Sequence, residues 1–303
     1  MTGRRWLSMT FGIVIAASAL CFYLAWQFDP YGIWKDPKGR SLSIYFFERK
    51  DKLLLNKRYV PANFEGLIIG PSSSSNWSVS SLNGIRMFNE SLPGGNAAEE
   101  HLLFAEAMKK GHYRLAVLAL APGMTRSHDL EDGIEKTRTS EALASIHLLF
   151  DEAAMVLQAH HVYFSKAETA PNGQIIDYYP KRLDPLPPDP DDYRIDPEDL
   201  SKYRDMATSL RDQGAQIVYV VPPYYEPCYR KIKPEIDAYV AEMRKELPAG
   251  PLIDFGQPAF EALRNDPDNF YDCAHTTSAG SAKVVALLEK LVPQVMNAGS
   301  VQP

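Results

Sequence analysis

Two short blocks in this chain combine residue types that could carry out nucleophilic chemistry. The first is Gly70-Pro71-Ser72, which closes the apolar run Gly66–Gly70 (GLIIG) and opens into SSSNWSVSSL. A serine at a strand-to-helix turn presents its hydroxyl at the carboxyl edge of a sheet. Its own N–H points into the same space, as an oxyanion donor must. Ser73, Ser74 and Ser75 read as helix caps or solvated hydroxyls, since serine satisfies the orphan N–H groups of a helix start. The second block is Asp272-Cys273-Ala274-His275, followed by Thr276-Thr277-Ser278. A carboxylate three residues before a histidine can hold the imidazole in the tautomer whose other nitrogen takes a proton from a serine. In that reading Ser72 is the nucleophile, His275 the general base and Asp272 its orienter. The alternative is two capped helix starts, with Thr277 or Ser278 as the second cap. No third ligand at suitable spacing accompanies Asp272 and His275, so no metal and no other cofactor is expected. His160 and His161 are adjacent and do not share a helix face, which makes them a helix-end feature.

The elements that must bring these blocks together follow from hydrophobic patterning. Five apolar runs, Gly66–Gly70, Ile85–Phe88, Leu115–Ala121, Gln216–Val221 and Leu252–Phe255, are short and bounded by Gly, Pro, Asp or Asn, as buried parallel strands are. Helical patterns alternate with them over Ala97–Lys110, Thr139–Gln158, Pro197–Gln213, Lys231–Glu246 and Ser278–Leu291, and an earlier helix is expected around Leu42–Leu55. That alternation predicts right-handed βαβ units. The fold expected is a flavodoxin-like three-layer α/β/α domain with a five-stranded parallel sheet of order 2-1-3-4-5, preceded by one transmembrane helix. Ligands in such sheets sit beyond the carboxyl ends of the strands, where both blocks should arrive. Residues 168–198, rich in Pro and Asp, read as an extended surface insertion, and residues 296–303 as a frayed tail. Tyr224 and Tyr225, after Val221-Pro222-Pro223, form either a rigid turn or an aromatic wall for substrate. Cys228 and Cys273 should lie near that rim, either as a disulfide or as small buried residues.

The Ser72 and Asp272/His275 blocks, with the stretch Asn89-Glu90-Ser91-Leu92-Pro93-Gly94-Gly95, resemble the SGNH (GDSL-like) hydrolase superfamily. The chain is most similar to its membrane-anchored periplasmic branch, found with bacterial polysaccharide O-acetylation and D-alanylation systems. The resemblance covers about residues 64–292. It implies a Ser72/His275/Asp272 triad and an oxyanion hole built from Ser72 and Gly94. Members usually place an Asn after the third strand as a further donor. This chain reads Ala121-Pro122-Gly123 there, so either Asn96 or Asn76 substitutes or the hole has only two donors.

The first 28 residues belong to a different environment. Arg4 and Arg5 precede an uncharged run of 23 residues, Trp6–Phe28, which as a helix rises about 34 Å against a hydrocarbon core of about 30 Å. Ala17-Ser18-Ala19 satisfies a small-x-small cleavage pattern, but the apolar run continues well past it, so an uncleaved signal anchor is expected over a cleaved signal peptide. With the arginines held inside, the rest lies outside the cytoplasm. The organisation expected is a tip and anchor (1–28), a juxtamembrane segment (29–60), the α/β/α domain (61–295) and the tail. Beyond the anchor, 30 of the 32 basic residues face 38 acidic ones, which argues against nucleic acid as a partner.

The resemblance thus implies a single-pass inner-membrane protein whose periplasmic domain handles acyl, foremost acetyl, groups on a cell-surface polysaccharide. The bilayer is contacted through residues 6–28, and a multi-spanning membrane acyltransferase is a candidate partner. The other function weighed is an accessory protein that binds a glycan or such an acyltransferase without fast chemistry.

Overall fold

The computed structural model describes residues 3–42, 48–126, 168–176 and 193–299. Its strands are β1 (Gly66–Ile69), β2 (Ser81–Leu82), β3 (Ile85–Asn89), β4 (Leu115–Ala119), β5 (Glu168–Thr169), β6 (Ile175–Ile176), β7 (Gln216–Val221) and β8 (Leu252–Asp254). Six of them form one sheet of order β2-β3-β1-β4-β7-β8. The five parallel strands therefore take the expected 2-1-3-4-5 order, and all but a few of their residues are buried. The sixth strand, β2, was not anticipated. It pairs antiparallel with β3 through the turn at Asn83 (φ 49°) and Gly84 (φ 75°). Asn-Gly at left-handed φ is a tight-hairpin signal, so the cue was present in the sequence.

The helices are α1 (Gly3–Phe28), α2 (Glu48–Asn56), α3 (Tyr59–Asn63), α4 (Ser72–Ser75), α5 (Ala97–Met108), α6 (Pro197–Asp212), α7 (Glu226–Glu246), α8 (Glu261–Asn265) and α9 (Ser278–Gly299). Side chains alternate across a strand, so each strand feeds two cores. Leu67, Ile69, Leu118 and Tyr219 pack with Phe104, Tyr203 and Ile232 of α5, α6 and α7. Ile68, Val117, Val218 and Val220 pack with Val284, Leu288 and Val292 of α9. The result is the three-layer α/β/α arrangement.

Element boundaries follow local chemistry; the start of α6 is as expected and others differ. Helix α6 starts where Asp196 accepts the N–H groups of Glu198 and Asp199, with Pro197 at a position that needs no donor. Helix α7 begins at Glu226 instead of Lys231, again with a proline in its first turn. Helix α9 continues past Val295 to Gly299. Residues 168–176 are a hairpin rather than an extended loop, which corrects that part of the 168–198 expectation. The hairpin is docked: Asn89 N–H donates to Asn172 O (2.7 Å), Tyr59 Oη to Pro171 O (3.0 Å) and Asn172 Nδ2 to Val79 O (3.2 Å). The rest of that segment up to Asp192, the helix expected over 139–158, and His160 and His161 lie outside the described residues.

Helix α1 is exposed along nearly all its length and is long and apolar enough to cross a membrane. Its C-terminal end is built into the domain. Asp29, 1% exposed, accepts the N–H groups of Ile33, Trp34 and Lys35 and an ion pair from Arg40 at 2.7 Å. Arg40 also donates to the carbonyls of Phe28 and Asp29 (both 3.1 Å), satisfying acceptors that the helix end leaves open. Tyr31 Oη then donates to Asp51 of α2 at 2.9 Å. The described residues between α1 and β1, 29–42 and 48–65, are therefore packed into the domain.

Candidate active site

The serine turn begins where β1 ends, at the carboxyl edge of the sheet. Gly70 is required there by close approach, because a Cβ would sit 2.4 Å from Ser74 Oγ and 2.6 Å from Ala119 Cβ. The turn is fastened from behind by Asn89, which is fully buried. Its Nδ2 donates to Ser74 O (2.9 Å) and Trp77 O (3.2 Å), and its Oδ1 accepts Ser91 N–H (3.0 Å). Ser74 Oγ lies 2.9 Å from Ser91 Oγ and donates to Pro71 O, and Ser75 Oγ donates to Ser72 O. Ser73, Ser74 and Ser75 are buried. Of the two readings, caps or solvated hydroxyls, the second is corrected: all three side chains are buried, Ser74 and Ser75 bond the turn internally, and Ser73 lines the cleft beside Ser72.

The second block returns to the same edge after β8. A short loop is closed by the bridge between Phe270 and Thr276 and by Tyr271 N–H donating to His275 O at 2.8 Å. Asp272 Oδ1 accepts the N–H groups of Ala274 and His275, each at 2.8 Å, and both carboxylate oxygens meet His275 Nδ1 at 2.9 and 2.7 Å. His275 Nε2 lies 2.7 Å from Ser72 Oγ. With Nδ1 committed to the carboxylate, Nε2 is the acceptor for the serine proton. Partial burial works against the Asp272 charge, but the His275 ring and the two backbone N–H groups outweigh it and hold the carboxyl below its usual range. The carboxylate therefore stays ionised and fit to stabilise an imidazolium.

The cleft above Ser72 has a volume of about 220 Å³. Gly94, Ala121, Pro122, Gly123, Tyr224 and His275 are among its lining residues. Gly94 has φ +65°, the left-handed region that favours glycine, at the turn where the chain leaves Pro93 for α5. Tyr224 is on the wall, as one of the two expectations had it. Tyr225 is not among the lining residues: its N–H donates to Cys273 O (2.9 Å) and its ring packs on Phe270, at the start of α7. Arg126 and Tyr193 line the cleft too. Sequence reasoning missed both, and no spacing or motif around them marks them.

Neither candidate for a third oxyanion donor is available. Asn96 is 1% exposed and absent from the lining; its Oδ1 caps α5 by accepting Glu99 N–H (3.0 Å), and its Nδ2 faces Asp199 (3.5 Å). A side chain spent on an N-cap cannot reach over the serine. Asn76 donates to Thr276 O (2.7 Å) and accepts Ser281 Oγ at its backbone carbonyl (2.6 Å). It instead staples the serine turn to the residue after His275. Cys228 and Cys273 are joined by a disulfide, which ties the loop between Asp272 and His275 to the first turn of α7.

No family model matches the chain, and no curated protein sequence matches it. Among solved structures that match, one described as "a putative platelet activating factor from Streptococcus pneumonia" is 13% identical, with a TM-score of 0.42. The overlap covers 80% of this chain and 89% of that one. At that distance the likeness says nothing about chemistry, which Ser72, His275 and Asp272 must carry by their own geometry.

Proposed function

We propose that the chain is a serine-dependent acyl-ester hydrolase or O-acyltransferase of the SGNH-like type, with Ser72, His275 and Asp272 as its triad. The observation that carries this is the 2.7 Å contact between Ser72 Oγ and His275 Nε2, with His275 Nδ1 held by Asp272. Ser72 Oγ attacks the acyl carbonyl carbon while His275 takes its proton. The oxyanion is met by the N–H groups of Ser72 and Gly94. Collapse expels the alcohol, which takes the proton back from His275 and leaves the acyl group on Ser72. Water then completes hydrolysis, or a sugar hydroxyl completes transfer.

The rest of the proposal comes from the resemblance and the N-terminal helix. The protein sits in a bacterial inner membrane with its domain in the periplasm. It acts on acyl, foremost acetyl, groups of a cell-surface polysaccharide, and a multi-spanning acyltransferase would supply them from across the membrane. A second reading, an accessory protein without fast chemistry, is favoured by one observation. Ala121, Pro122 and Gly123 of the turn after β4 bring no side-chain amide to the cleft, and a missing oxyanion donor costs on the order of 10²-fold in rate.

Fluorophosphonate labelling separates the two. Full-length protein in detergent should label at Ser72 and not at Ser73, Ser74 or Ser75, because only Ser72 has a base within reach. Ser72→Ala and His275→Ala should each abolish labelling and ester turnover, and the double variant should be little worse than either, since the residues act as a unit. Labelling that survives Ser72→Ala, or folded protein that never labels, would reject the triad and leave the accessory reading.

A further inference from the structure

Gly94 N–H, the second donor of the proposed oxyanion hole, shares a peptide group with the carbonyl of Pro93. That carbonyl is held from the membrane-proximal side of the domain. Arg49, on α2, donates from Nη2 to Pro93 O at 3.1 Å. The same guanidinium donates from Nε to Glu99 Oε1 (2.8 Å) and from Nη2 to Glu99 Oε2 (3.2 Å). Glu99 is fully buried in the first turn of α5, where Asn96 caps its N–H. The fork of Arg49 is thus locked to α5 before it reaches the loop. One turn further along α2, the buried Lys52 Nζ donates to Asn89 O (2.8 Å) and Ser91 O (2.9 Å), and Leu92 N–H donates to Gly70 O (3.0 Å) and Glu100 Oε1 (2.8 Å). The backbone carbonyls of Asn89, Ser91 and Pro93 are thus each held by a cation of α2, beside the apolar contact of Leu53 with Leu92.

None of the described peptide bonds is cis, and a trans peptide sets its C=O and N–H on opposite sides. A Pro93 carbonyl drawn toward Arg49 turns Gly94 N–H away from α2, and Gly94 lines the cleft. A charged donor on the carbonyl also draws amide electron density toward oxygen, which makes the N–H of that peptide a stronger donor.

We propose that Arg49 is a positioning residue for the reaction: it orients and polarises the Pro93–Gly94 peptide so that Gly94 N–H meets the developing oxyanion. This rests on the ester chemistry proposed above. It gives the segment between α1 and the sheet a direct part in the rate, although none of its described residues lines the cleft.

The test compares an oxoester, phenyl acetate, with its thionoester, using full-length protein in detergent and rates normalised to serines titrated by fluorophosphonate. Sulfur is larger and a weaker acceptor, so a hole shaped for oxygen favours the oxoester. Arg49→Met should lower kcat for phenyl acetate by about tenfold or more, with KM within about threefold, because the donor acts in the transition state. It should also lower the oxoester-to-thionoester ratio and leave the pH profile of kcat unmoved. Should Arg49→Met fail to fold for want of a partner for the buried Glu99, Arg49→Met/Glu99→Gln removes the orphan charge and is read the same way. A wild-type ratio in whichever variant folds, or equal losses on both esters, would overturn the role of Arg49 alone. Wild-type protein that neither labels nor turns over phenyl acetate would overturn the ester chemistry and this inference with it.

Discussion

At the scale of single residues, the site depends on side chains that bind nothing. Asn89 holds the serine turn, and Asn76 links it to the histidine loop. Behind them lies a fully buried cluster of Lys52, Glu90 and Glu100. One ammonium cannot keep two desolvated carboxylates ionised. Burial lifts Glu90 to about 7 against the pull of Lys52, and burial raises Glu100 well above the usual carboxylate range too. Between 4.5, where the unfolded chain releases the Glu90 proton, and about 7, the folded state holds more protons than the unfolded one. Stability from this group is therefore fully present below that window and falls as pH rises through it. Glu90→Gln should gain on wild type, by on the order of 2–3 kcal/mol, between pH 5 and pH 8. Urea denaturation at both pH values measures this, and a difference that does not change with pH would reject it.

At the scale of elements, each half of the site is a turn leaving a strand, and each is pinned to a neighbour. The serine turn is pinned by Asn89 at the end of β3; the histidine loop is pinned by Cys273 to Cys228 on α7, across a sequence separation of 45. A loop of that length implies about 4 kcal/mol of stabilisation through the unfolded chain. Cys228→Ser/Cys273→Ser should lower stability by roughly that amount. It should also lower kcat with Ser72 still labelled, since Cys273 lies between Asp272 and His275. Thermal unfolding and turnover on the same preparation test both halves. Unchanged kcat would show that the backbone bonds of Asp272 suffice to hold the loop. The docked hairpin of β5 and β6 belongs here too, since Asn172 accepts Asn89 N–H at its backbone carbonyl and donates its side-chain amide to Val79 O, which makes residues 168–176 part of the structural support of the site and not a cover for it.

At the scale of the whole molecule, the apolar helix α1, the described residues after it and the sheet are joined by side-chain contacts. Asp29 and Arg40 fasten the end of α1, Tyr31 reaches Asp51, and α2 reaches the Gly94 loop. Two shortened chains test this. A chain starting at Asp29 should be soluble, fold and label with fluorophosphonate, since α1 contributes little but Ala25 to the core. A chain starting at residue 61 loses Arg49, Lys52 and the buried Leu53, Leu54 and Leu55, and should neither fold nor label. A residue-61 chain that labels like the longer one would show the segment to be dispensable. Full-length protein should stay in the pellet after alkaline carbonate extraction, whereas release of a shortened soluble form would point to cleavage near Ala19.

Much of this was legible locally. Gly70-Pro71-Ser72 and Asp272-x-x-His275 mark the candidate site by residue type and spacing, because a serine at a strand end and a carboxylate three residues before an imidazole are short-range patterns. The parallel strands and their order were equally readable, because burial on both faces imposes continuous apolar runs. Even the β2 hairpin had its Asn-Gly signal. What the sequence left open depends on pairings between distant residues. Asn96 and Asn76 were each plausible oxyanion donors by position along the chain, and only the folded geometry shows their amides spent on a helix cap and on Thr276. Arg126 and Tyr193 reach the cleft from segments with no motif. The 2.7 Å contact joins residues 203 apart, and the hold of Arg49 on Pro93 spans 44. Residue types and local periodicity determined which groups could react and which strands would carry them. Packing of α2 against α5 and the loop before it decided how they are aimed, since a hydrogen bond between remote segments has a direction only once both ends are fixed in space.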